Sequence, residues 1–111
     1  MKQFGFQIYE HYCLITLISF YMNELEIIAE NIKNKNLEKA LELCELNVNS
    51  SNKTIIYNFI GVIHFIKKDH VEAEKYFLKA AKIDDKFQDP IRNLCIIYTN
   101  TKKFDKLLNF A

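Results

Sequence analysis

The chain has no tryptophan, one proline and two glycines among its 111 residues. So little turn chemistry argues against a protein of many short strands, where each reversal asks for Gly, Asn-Gly or Pro. It favours helices joined by short polar loops. Arginine is also scarce, since Arg92 stands alone among 15 basic residues. Those 15 are matched by 14 acidic residues, for a net charge of +1, split as −2 over residues 1–55 and +3 over 56–111. Neither half has the dense basic stripe of a phosphate-backbone binder, so nucleic acid is not expected as a partner. Lys67–Lys68 and Lys102–Lys103 fall in polar breaks and read as solvated surface.

Three cysteines, Cys13, Cys44 and Cys95, are odd in number and widely spaced, with no Cys-x-x-Cys unit. That usage suits a reducing compartment, and a cytoplasmic location is expected. His11, His64 and His70 make no metal-ligand spacing with them; His11-x-Cys13 is the nearest approach. No metal, cofactor or catalytic constellation is expected, because no nucleophile lies one helical turn from a base. Glu24, Glu26 and Glu30 read as a solvated face. His64, a titratable group on an apolar helix face, reads as a core histidine making one hydrogen bond.

The most apolar stretch, "YCLITLISFYM" at residues 12–22, is eleven residues long. A membrane-spanning helix needs ~20, so stable insertion is not expected. Lys2 gives only a minimal basic start, and no small-x-small cleavage site precedes "NELE". Residues 1–21 form an apolar N-terminal segment with two open readings: an extra helix packed on the first repeat, or an extension outside the domain. Met22 opens a natural helical start with acidic residues in its first turn.

From Met22 the chain alternates helical patterns with polar breaks at 34–36, 47–52, 67–69, 84–89 and 100–103. That makes six segments in three pairs. Asp69 with Glu72 forms a capping box, and Asp89–Pro90 reads as an N-cap followed by proline at the first helical position. The pairs superpose. Ile27, Ile60 and Leu94 are separated by 33 and 34 residues, and so are Ala40, Ala73 and Leu107. A helix–turn–helix unit of ~34 residues is the period of the tetratricopeptide repeat.

The middle unit resembles that family most closely. Tyr57, Ile60, Gly61 and His64 match its first-helix pattern of aromatic, leucine, glycine and tyrosine, with His64 in the tyrosine slot. Ala73, Phe77 and Ala80 match its second-helix pattern, although Asp85 stands where the family usually ends with proline. The third unit keeps Ile91, Leu94, Tyr98 and Phe104, and the first only Ile27, Leu37 and Ala40. The resemblance implies an all-α fold over residues 22–111, a right-handed superhelix of about three stacked antiparallel helix pairs. A plain bundle of six or seven helices is the competing architecture. Pentatricopeptide repeats share the period but read RNA, and the basic groove they need is missing.

What the family does is bind, through a concave groove lined by first helices. The resemblance therefore implies a noncatalytic protein-interaction module. It implies that Gly61 and Ala73 face each other where two helices cross, with Phe77 beside them. It lays the groove along Leu25, Asn58 and Arg92, then Ala29, Val62 and Ile96, then Ile32, Phe65 and Thr99. Asn58 and Arg92 would orient a bound peptide or helix by hydrogen bonding. The lysine and asparagine clamp that some members use for a terminal carboxylate is absent. The partner is another protein or peptide, the chain's own segment 12–22, or a second copy. The segment from Phe104 has eight residues against thirteen for 70–82, so the repeat domain reads as truncated. That truncation supports the alternative function: an N-terminal repeat region of a larger enzyme such as a transferase.

Overall fold

A computed structural model describes residues 23–108, and over that span every regular element is a helix. The helices are α1 (Glu24–Lys33), α2 (Leu37–Asn47), α3 (Lys53–Ile66), α4 (His70–Ile83), α5 (Asp89–Asn100) and α6 (Phe104–Leu108). The fold is all-α. The N-terminal segment 1–21, with His11 and Cys13, lies outside the described residues.

Local chemistry sets the helix starts. The Asn23 side chain accepts the Glu26 backbone N–H at 2.9 Å, and Glu24 and Glu26 place negative charge in the first turn. Asp69 accepts the Glu72 N–H at 3.3 Å to open α4. At α5 the expected cap moves by one residue. Gln88 holds the N-cap position without a side-chain bond, and Asp89 and Pro90 fall inside the first turn. Asp89 instead pairs with Arg92 at 3.4 Å, one turn along the same helix.

The turns within pairs are built alike. Lys35, Lys68 and Lys102 each have positive φ, at 61°, 64° and 59°. After α1 the Asn36 N–H donates to the Asn31 carbonyl at 2.8 Å and the Lys35 N–H to the Ile32 carbonyl at 3.0 Å. The same bonds recur from Asp69 to His64 and Lys68 to Phe65, and again from Lys103 to Tyr98 and Lys102 to Thr99. This is the Schellman closure, which satisfies orphan carbonyls at a helix end. Its left-handed residue recurs at separations of 33 and 34, so the backbone shares the period of the side chains.

Each helix packs on the next, and the first helices also touch: α1 meets α3, and α3 meets α5. The core has two parts. Ile28, Ala40, Cys44, Ile56, Ile60 and Ile63 bury one cluster across α1, α2 and α3. Ala73, Phe77, Leu94, Ile97 and Tyr98 bury the other across α4 and α5. Helix α3, apolar almost all round, serves both clusters and can do so only from the middle.

Two expectations about packing change. In the first unit Ile28 is fully buried while Ile27 is half-buried, so the inward side chain stands one position beyond the repeat alignment. Where the middle unit has Gly61, the first unit has a full side chain at residue 28, and that side chain is itself part of the core. At Gly61 the closest neighbour is not Ala73. A Cβ there would meet three atoms of the Phe77 ring at 2.5 to 2.9 Å. Ala73 is fully buried in the second cluster, and Ala80 is fully buried one turn beyond Phe77.

Candidate protein-interaction site

Helices α3 and α5 lie side by side, and an apolar pocket opens between them. Val62, Phe65, Phe77, Asn93 and Ile96 line a space of about 70 Å³. Val62 and Phe65 are half-buried with their inner sides packed on the second core cluster, and Ile96 is 48% exposed. The helical period explains the wall. Val62 and Phe65 stand three apart on α3, as Asn93 and Ile96 do on α5, so each pair shares a helix face. The space is sized for one aliphatic side chain, not a cofactor.

Of the nine residues expected along the groove, the pocket brings together Val62, Phe65 and Ile96. Leu25 packs against the first core cluster, and Ala29 is exposed on α1; neither lines the pocket. The two residues expected to orient a partner are engaged internally. Asn58 is 6% exposed, and its Oδ1 accepts the Asn93 Nδ2–H at 3.0 Å, tying α3 to α5 below the pocket. Arg92 is exposed and held toward Asp89. Asn58 therefore braces the wall. Reasoning from sequence missed Asn93 and gave Phe77 a packing role only. Asn93 was findable, because it lies one helical turn before Ile96.

The remaining repeat positions form an aromatic edge on the other side of α3. His64 stacks on Tyr76, ring centroids 5.6 Å apart and planes within 9°, and Tyr57 meets Tyr76 at 6.0 Å. The expected His64 hydrogen bond is replaced by that stack. Lys79 lies over both tyrosine rings, 5.6 Å from Tyr57 and 5.0 Å from Tyr76, while Lys75 lies 5.7 Å from Tyr76.

A polar node joins the last three helices. Glu74 Oε1 accepts the Tyr98 hydroxyl and the Lys106 ammonium, each at 3.1 Å. Burial first, then the hydrogen bond to Glu74, pushes the Tyr98 phenol up to about 12. Burial, with Glu45 adding to it, pushes the Cys44 thiol up to about 12. Both groups are protonated at neutral pH.

Among the described residues no group of three His, Cys, Asp or Glu side chains could hold a metal ion. No described helix is long and apolar enough to cross a membrane. Compared with protein-family models, curated proteins and solved structures, the chain matches none.

Proposed function

We propose that the protein is a noncatalytic interaction module of tetratricopeptide-like helix pairs, which docks an apolar side chain of a partner protein between α3 and α5. The observation that carries this reading is the open pocket walled by Val62, Phe65 and Ile96. Apolar surface that a fold leaves open beside its core is a common mark of an interaction site. The recurring Schellman turns and the contacts among first helices support the stacked-pair reading, in which α1, α3 and α5 line one concave face. A peptide or amphipathic helix is the fitting occupant, one anchor residue entering the pocket while its neighbours lie along α3 and α5. The chain's own segment 12–22 would compete for the same place.

The test is affinity capture from the native host with the parent chain and Phe65→Asp side by side, read by mass spectrometry. Partners recovered by the parent should be lost from Phe65→Asp, while the circular dichroism of the variant keeps its helical signal. Equal recovery on both baits would remove the pocket as the docking site.

A further inference from the structure

The second helices present two charged rows of opposite sign. On α2, Glu38, Glu42 and Glu45 are exposed at spacings of four and three. On α4, Lys75, Lys79 and Lys82 are exposed at the same spacings. Each set therefore occupies one helix face. Both helices pack on α3, and Tyr76 of α4 joins the core cluster that also holds Ala40 and Cys44 of α2. A surface carrying an acidic row beside a basic row is complementary to itself after a half-turn, which is the requirement for a two-fold contact.

We propose that this face pairs two copies of the chain, the acidic row of α2 in each copy meeting the basic row of α4 in the other. Three observations favour a second copy as the occupant. The rows match in spacing, and although Glu38 already pairs with Lys67 at 2.9 Å, Glu42 and Glu45 have no ion pair among the described residues, so a second copy supplies their complement. The basic row is only lightly neutralised within the chain: among the described residues no carboxylate lies within 4.0 Å of Lys79 or Lys82, and Glu72 reaches Lys75 only at 4.0 Å. Glu74, the other acid on α4, is turned to Tyr98 and Lys106. Finally, apolar side chains stand among the charges. Leu46 is 81% exposed on α2, and Val71 and Leu78 are 76% and 41% exposed on α4. These side chains give the contact something to bury, which exposed ion pairs alone do not.

The basic row is also held in place in advance. Lys75 and Lys79 lie over the Tyr76 ring, and Lys79 reaches Tyr57 as well. Side chains already restrained lose less freedom on association. Pairing through α2 and α4 leaves Val62, Phe65 and Ile96 uncovered, so a dimer would carry two free pockets.

The experiment is sedimentation equilibrium of the full chain over a wide concentration range at low and high salt. The parent should dimerise, with Kd rising at least about tenfold between ~50 and ~500 mM salt, as steered charge pairing requires. Lys75→Glu with Lys79→Glu should be monomeric, and so should Glu42→Lys with Glu45→Lys. Mixing these two double variants should restore the dimer mass, because each acidic row again meets a basic one. Lys75→Gln with Lys79→Gln, which only removes charge, should weaken pairing in the same direction. Circular dichroism of each variant checks that the helices persist. A parent that stays monomeric, a double variant that dimerises like the parent, or folded variants that fail to pair when mixed would each overturn the proposal.

Discussion

The Phe77 ring occupies the space that a side chain on Gly61 would need, with its Cε1 atom 2.5 Å from the Cβ position. Phe77 is 1% exposed, so its ring can yield only toward the small pocket it lines. Glycine inside a helix costs ~1 kcal/mol relative to alanine, and the ring packed against bare backbone offsets that cost. Gly61→Ala should therefore destabilise by ~1–3 kcal/mol through overpacking, despite its better helix propensity. In a Phe77→Leu background the same substitution should cost less, because the two residues share one contact. Urea melts of the four proteins measure the coupling. Simple additivity would mean that ring and glycine do not meet.

The three turn lysines make a second expectation. Lys35, Lys68 and Lys102 hold positive φ, where a Cβ is strained and glycine is preferred. Lys68→Gly should stabilise by ~0.5–1 kcal/mol, the relief being larger than the added freedom of the unfolded chain. Lys35→Gly should act in the same direction. A fall in melting temperature for both would show that the lysine side chains contribute more than their backbone costs.

These turns also mark how far the sequence can be read. Five polar breaks were legible, and the helices stop and start at or within a residue of them, because apolar periodicity and Asn, Asp and Lys clusters carry that signal. The left-handed residue was not legible, since it is lysine, not glycine, in every case. Gly61 was legible as a packing residue, but its partner was not: spacing puts Ala73 and Phe77 on one face of α4 without saying which side chain reaches across. The pocket was half legible. Val62, Phe65 and Ile96 follow from the repeat offset, whereas the Asn58–Asn93 bond joins residues 35 apart and falls outside the 33- and 34-residue alignment. Hydrogen bonding between neighbouring units has no period to betray it.

Alkaline pH should weaken the fold in a defined window. The Tyr98 phenol is raised from 10 to about 12, and the Cys44 thiol from 9 to about 12. Both are protonated in the native protein, so their contribution is whole below pH ~9. It is lost as the unfolded chain ionises between ~9 and ~12. For Tyr98 the difference amounts to ~2–3 kcal/mol at most. Tyr98→Phe should lower stability at pH 8 by ~1–2 kcal/mol through the lost bond to Glu74, and should show a shallower decline from pH 9 to 11. Denaturant titrations of both proteins across that range give the answer, and parallel curves would exclude the phenol as the titrating group.

The bond between Asn58 and Asn93 gives the last expectation, and it bears on the pocket directly. Asn58 is 6% exposed, so removing its partner leaves a largely buried amide oxygen without a donor. Such a loss costs more than an exposed hydrogen bond is worth, because the desolvated group cannot recover its water. Asn93→Ala should destabilise by ~1–3 kcal/mol, and Asn58→Ala by a similar amount. The double variant should cost less than the sum, since neither group is then left stranded. The pocket should respond in step. Asn93 lines it and the bond ties α3 to α5 beneath it, so Asn93→Ala should weaken capture of any partner that Phe65→Asp loses, but more mildly. If Asn93→Ala abolished capture as fully as Phe65→Asp while leaving stability unchanged, Asn93 would be contacting the partner itself, and its bond to Asn58 would yield to the partner on docking.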